Sequence, residues 1–123
     1  MGINRKEEQG FRTNELQELL RRDRIVRGTI TYEDIIVVTI DYVVNISQRS
    51  GQISVTAEGR RVNIDISPAH VCAEIENERF GNVTITGKIC AEFENGHGKL
   101  VANAIVTYRG LEINIDDLII ITW

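Results

Sequence analysis

Hydrophobic and polar residues alternate with a period of two along most of the chain after Ile25. The stretch RVNIDI places Val62, Ile64 and Ile66 on one face of a strand and three polar residues on the other. The stretches QISVTAE, NVTITGKICAEFE and LEINID alternate in the same way. This pattern is typical of antiparallel strands that bury one face. It predicts eight or nine strands.

Short glycine-bearing segments separate these strands and are interpreted as turns, because glycine adopts the positive φ that tight connections require. They are Ser50–Gln52, Ala57–Arg61, Phe80–Asn82, Glu94–Gly98 and Arg109–Gly110. Pro68 has no backbone N–H and is therefore expected to follow the end of a strand.

One helix is predicted near the N-terminus. Asn14 is a good N-cap, Gln17 forms a capping-box-like pair with it, and Leu16, Leu19 and Leu20 form an apolar stripe. The predicted fold is therefore mainly β: an antiparallel β-sandwich or rolled sheet with one short N-terminal helix. The chain is expected to be a single domain over 1–123, with the helix at about 14–23 and the β domain over 25–123.

Two segments lack a clean alternation. IIVVTIDYVV is apolar on both predicted faces, and LIIITW carries four aliphatic residues and a tryptophan. A strand with one wet face should not have this composition, and an exposed apolar strand promotes aggregation. Both segments predict a homo-oligomer, a dimer or larger.

The composition excludes several classes of protein. The chain has 123 residues and a formal net charge of −4; a duplex DNA binder needs a basic face, so no duplex nucleic acid partner is expected. The polar start predicts that there is no signal peptide, and no apolar run is long enough for a membrane helix. A cytoplasmic protein is expected, with Cys72 and Cys90 as free apolar thiols.

No catalytic set emerges from the motifs. His70 and His97 lie in small-residue loops without a neighbouring nucleophile motif, and their spacing from the two cysteines matches no common zinc site. We therefore expect a non-enzymatic protein without a cofactor or a metal.

Arginines and aromatic residues at strand ends are the remaining candidates for chemistry. They are Arg24, Arg27, Arg60, Arg61, Arg79, Phe80, Tyr108 and Arg109. An arginine fork suits a phosphate, and a neighbouring aromatic ring offers a face to a base, so the pattern indicates nucleotide capture. Two interpretations of Phe80 are compatible with the sequence: its ring caps the core, or its ring stacks on a ligand.

The chain resembles the small phage proteins that defeat the bacterial Thoeris system, the anti-defence sponges of the first described type. The resemblance covers TNELQELLRRDR, IVRGTITYE, ERFGN, HGKLVANAIVTYRG and the apolar C-terminal strand. It implies an oligomeric protein of the bacterial host cytoplasm that binds a cyclic ADP-ribose isomer, and in some members also cyclic oligonucleotides, without converting it.

The same resemblance implies roles for individual residues. Phe80 would stack on the adenine and Arg109 would pair with the diphosphate, while Asn82 and Asn95 would supply polar contacts. The alternative is an oligomeric structural or interaction module, such as a β domain of a virion, in which the apolar strands serve assembly alone.

Overall fold

The fold consists of two antiparallel sheets. The computed structural model describes residues 2–7 and 23–123, with side chains over 23–123. The first sheet contains, in spatial order, β1 (Gly2–Glu7), β2 (Ile25–Glu33), β3 (Val37–Asn45), β4 (Ser50–Ala57) and β5 (Arg60–Ile66). The second contains, also in spatial order, β6 (Cys72–Phe80), β7 (Val83–Glu94), β8 (His97–Tyr108) and β9 (Leu111–Thr122). The mainly β prediction is confirmed.

Three details differ from the sequence-based expectation or lie beyond it. Strand β1 was not expected, because GINRKE is polar and shows little alternation; it pairs with β2 from Gly2↔Glu33 to Glu7↔Gly28. The predicted turn at Ser50–Gln52 is wrong, since the turn lies just before Ser50. The predicted helix lies outside the described residues, except that Asp23 is in a bend.

The inner faces of the two sheets pack against each other and form the core. Ile40 and Val55 of the first sheet face Ile85 and Val106 of the second across an apolar cavity of about 40 Å³. Tyr32 also lines this cavity, and its burial, together with the Asp34 carboxylate, raises the pKa of its hydroxyl. Ligand pockets usually measure about 300–1,000 Å³, so a nucleotide does not fit between the sheets.

The apolar run of β3 is explained largely within one chain. Every second residue of the segment is buried, from Ile36 to Val44. On the opposite face Asp41 accepts a hydrogen bond from the Thr29 hydroxyl, whereas Val37 and Val43 are about half exposed, at 54% and 46%. The side chains of Val37 and Val43 thus form a small exposed apolar area on the outer face of the first sheet.

The apolar end of β9 is accommodated by two β-bulges. The register with β8 shifts between Ala102 and Ala104 and again between Leu100 and Val101. The second shift allows the consecutive residues Ile120 and Ile121 both to be buried, which strict alternation would forbid. Bulges also protect an edge strand from pairing with another chain. Within one chain the bulge thus buries Ile120 and Ile121 of LIIITW, whereas Ile119 is 42% exposed.

The turns lie at two ends of the sandwich. We call the end with the β3–β4 and β7–β8 turns the Asn95 end, and the end with the β4–β5, β6–β7 and β8–β9 turns the Arg109 end. The hairpins Glu58-Gly59, Asn95-Gly96 and Arg109-Gly110 have positive φ at both central residues, as type I′ turns require.

The prediction of free cysteines is wrong. Cys72 and Cys90 are register partners on β6 and β7 and form a disulfide. The expectation rested on the reducing compartment rather than on geometry. Sequence alone does not reveal that the 18-residue separation places both side chains opposite each other on neighbouring strands.

We expect this disulfide to stabilise the fold measurably. Closing a loop of this length restricts the unfolded chain, so reduction should lower the free energy of unfolding by about 2–4 kcal/mol. Thermal unfolding with and without a dithiol reductant measures the loss, and the Cys72→Ser/Cys90→Ser variant should be insensitive to reductant. Two titratable thiols in the native, unreduced protein would contradict the assignment.

Candidate functional site

The candidate site residues are divided between the two ends of the sandwich. Arg79, Phe80, Asn82, Tyr108 and Arg109 lie at the Arg109 end, whereas Arg24 and Asn95 lie at the Asn95 end. Strand β7 spans the distance between these ends and is roughly 40 Å long at about 3.3 Å per residue. One small nucleotide cannot contact both groups in a single chain.

Phe80 belongs to the core. Its exposed fraction is 0%, and it is among the largest fully buried side chains of the described residues. The Arg60 guanidinium lies 5.8 Å from the ring centroid and also donates to the Arg79 carbonyl oxygen. The ring therefore has no face open to a base, and the stacking role expected for Phe80 is not supported by its position.

The other residues at the Arg109 end cannot form a cleft with the buried ring of Phe80. Arg79, Asn82 and Arg109 are exposed, whereas Tyr108 is half-buried against the core. The Arg109 guanidinium lies 5.2 Å from the ring centroid of its neighbour Tyr108 and covers the ring. Arg79 and Asn82 are exposed on either side of the Gly81 turn. The arrangement is that of a solvated basic surface.

A cleft is present at the Asn95 end. It has a volume of about 270 Å³ and is open to solvent on one side. Its lining residues are Arg24, Ile46, Ser47, Arg49, Phe93, Glu94, Asn95 and Gly96. The cleft thus combines two of the predicted residues, Arg24 and Asn95, with residues that were not predicted.

Arg24 connects the two sheets at this cleft. Its backbone N–H donates to the Ser47 hydroxyl over 2.8 Å, and its guanidinium donates to the Gly96 carbonyl. These contacts hold the β3–β4 and β7–β8 turns on either side of the cleft. Arg24 therefore positions the site in addition to contributing its charge.

Arg49 and Phe93 are the functional candidates that sequence reasoning missed. Arg49 lies in the β3–β4 turn with a φ of 55° and is exposed. The signal that could have revealed it is its place in the short polar segment between the apolar run that ends at Ile46 and Gly51. The alternation of NVTITGKICAEFE places Phe93 on the same predicted face as Val83 and Ile85, and Phe93 is half-buried at the rim of the cleft.

The ring of Phe93 packs on one side against Trp123. The ring centroids are 5.4 Å apart with an interplanar angle of 37°. Gly98 permits this packing, because a Cβ there would lie 2.8 Å from the indole Nε1 and closer still to the Glu92 carbonyl oxygen. Trp123 is the single tryptophan of the chain and adjoins the cleft through Phe93.

Arg27 does not belong to the cleft. It is paired in register with Val43 on the outer face of the first sheet, while its neighbour Val26 packs against the core. Its role in ligand binding is therefore not supported by its position.

The cleft carries a small positive charge. Arg24 and Arg49 contribute two positive charges and Glu94 one negative charge, so the lining has a net charge of +1. Over residues 23–123, no group of three or more His, Cys, Asp or Glu side chains is arranged to hold a metal ion. Positive charge, an amide and an aromatic edge are suited to holding a phosphate-bearing planar molecule.

Comparisons with known proteins find no significant similarity between this chain and any protein-family model, curated protein or solved structure. Within the part of the chain that the structure describes, no helix is long and apolar enough to cross a membrane.

The burial of Phe80 generates a prediction. Phe80→Ala should lower the free energy of unfolding by about 3–5 kcal/mol, because truncation of a buried ring leaves a cavity. Phe80→Leu keeps most of the volume and should cost much less. Denaturant unfolding measures both changes. A variant Phe80→Ala with unchanged stability would show that the ring is not part of the core.

Proposed function

We propose that this protein binds and sequesters a cyclic nucleotide signal, a cyclic ADP-ribose isomer, without converting it, and thereby inhibits bacterial anti-phage defence. The proposal includes action in the bacterial host cytoplasm, a reducing compartment in which the Cys72–Cys90 disulfide would be open to reduction. Its support is the sequence resemblance described above together with one observation, the cleft in which Arg24, Arg49 and Asn95 adjoin the half-buried ring of Phe93.

Each lining group has a chemical role in this proposal. Arg49 is exposed and supplies a fork for a phosphate, as arginine commonly does. Arg24 keeps the turns in place and adds a second positive charge. The Asn95 amide can both donate and accept hydrogen bonds, which suits a ribose hydroxyl or the edge of a base. Phe93 offers an aromatic contact opposite Trp123.

The cleft of one chain is expected to enclose only part of the ligand. The cleft volume of about 270 Å³ is close to the lower limit for small-molecule pockets. The negatively charged Glu94 carboxylate repels an anionic ligand, and this repulsion limits the affinity of a single chain for the ligand. A second copy of the chain that covers the open side would add contacts, consistent with the proposed homo-oligomer.

We expect Arg49→Gln to weaken binding about 10- to 100-fold, because a charge-assisted hydrogen bond contributes roughly 1.5–3 kcal/mol. Titration calorimetry against a panel of cyclic ADP-ribose isomers, with Trp123 fluorescence as a second readout, measures the effect. Arg109→Gln at the opposite end is the matched control and should bind like the wild type.

Two outcomes would contradict this assignment. If Arg109→Gln weakens binding and Arg49→Gln does not, the site lies at the Arg109 end. If the released ligand is linear ADP-ribose formed in proportion to time, the protein is an enzyme rather than a sponge. Ligand recovered intact after heat denaturation is the expected result.

The competing function, an oligomeric structural or interaction module, is favoured by the apolar side chains that remain exposed on the strands and turns. They are Ile35, Val37, Val43, Val71, Ile105, Leu111 and Ile119. A ligand that binds only the folded state must raise its melting temperature, whereas an assembly module without a ligand site shows no such shift.

The proposed homo-oligomer has its own test. Val43→Asp should dissociate the assembly without unfolding the chain, because Val43 is 46% exposed on the outer face of the first sheet. Ile120→Asp should instead unfold the chain, since Ile120 is fully buried within one subunit. Light scattering and circular dichroism distinguish the two effects. A wild-type protein that is monomeric at micromolar concentration would refute the proposal.

A further inference from the structure

The β7–β8 turn contains a chemically reactive pair of residues. Asn95-Gly96 is the only Asn followed directly by Gly in the sequence. Both residues are exposed, and both have positive φ, 51° for Asn95 and 79° for Gly96. Strand pairing ends at Glu94↔His97, so the ladder does not include the backbone amide of Gly96.

We propose that Asn95 is a self-modification site at which spontaneous deamidation lowers the affinity of the cleft for anions. The inference rests on the proposed function for its consequence, but its chemistry is independent of any ligand. It requires only water, which reaches the exposed turn.

The reaction balances without a further reactant. The backbone nitrogen of Gly96 attacks the side-chain carbonyl carbon of Asn95 and forms a five-membered succinimide. The side-chain nitrogen leaves as ammonia, carrying the proton from the Gly96 amide. Water then opens the ring at one of its two carbonyls and produces aspartate or isoaspartate. A glycine after the asparagine leaves the attacking nitrogen unhindered by a side chain.

The position of Asn95 gives this reaction a consequence. Asn95 lines the cleft together with Arg24, Arg49 and Glu94. A new carboxylate would change the net charge of the lining from +1 to 0 and place two acids beside the arginines. Isoaspartate would also lengthen the backbone within a two-residue turn, the turn that Arg24 holds through the Gly96 carbonyl.

Other asparagines provide an internal comparison. Asn103 is followed by Ala104, and its side-chain oxygen accepts a hydrogen bond from the backbone of Asp117 over 2.9 Å. Asn45 is followed by Ile46, and its side chain contacts Asp23 and Gln48. Both are restrained and precede a residue with a side chain, so they should react much more slowly.

The experiment incubates the full chain at neutral pH and physiological temperature over weeks and follows each asparagine by peptide mass spectrometry. Asn95 should be the first to convert, with isoaspartate among the products, while Asn45 and Asn103 stay amidated. Conversion of Asn95 at the same rate as Asn103, or no conversion, would overturn the proposal.

Binding of inorganic pyrophosphate, measured on fresh and aged protein, tests the consequence. Aged protein and Asn95→Asp should bind on the order of tenfold more weakly, because the new negative charge repels a multiply charged anion. The variant Asn95→Gly keeps the turn, cannot deamidate and should not change with age. Unchanged affinity after conversion would overturn the regulatory part.

The two proposals fail in distinguishable ways. If fresh protein binds neither pyrophosphate nor a cyclic ADP-ribose isomer, the proposed function at this cleft is wrong. In that case mass spectrometry alone still decides whether Asn95 is a modification site.

Discussion

The structure depends on the burial of two apolar faces against each other. Neither sheet could stand alone in water, because each exposes a continuous set of aliphatic side chains on its inner face, such as Ile30, Ile53, Leu100 and Ile120. Three further features fit the packing of these two faces. They are the bulges of β9, the close packing at Gly98 and the Arg24 contact between the turns. The small cavity near Tyr32 indicates that the fit is nearly complete.

Much of the fold could be predicted from the sequence, because it follows from the local alternation of apolar and polar residues and from the positions of glycines. Alternation identified the strands, and glycine-bearing pairs identified four of the hairpin turns. Strand β1 could not be predicted from alternation, because backbone hydrogen bonds hold it against β2 and these bonds form with almost any side chains. The bulge that buries both Ile120 and Ile121 could not be predicted either, because a bulge interrupts the period of two on which the strand prediction relies.

The candidate site was less predictable because it is assembled from residues distant in sequence. Arg24, Arg49 and Asn95 come from three separate connections that meet only after the sheets pack. Phe80 shows the opposite case: its charged and glycine neighbours indicated an exposed turn, but it ends β6 with its ring directed inward. A residue next to a turn is not necessarily in it, and the face it occupies depends on register. Cys72 and Cys90 illustrate the same dependence on register.

The order of strands has a consequence for how the protein folds. Every strand pairs with its neighbour in sequence, β1 to β5 in one sheet and β6 to β9 in the other. From β2 onward, the neighbouring strands of each sheet are joined as local hairpins, whereas β1 pairs with β2 across the intervening residues 8–24. Among the described residues, the β1–β2 ladder, the packing of the sheets and the end contacts join the more distant parts of the chain. Rates of two-state folding rise as contacts become more local. This meander should therefore fold faster than a Greek-key sandwich of similar size, and each hairpin can form as soon as it leaves the ribosome.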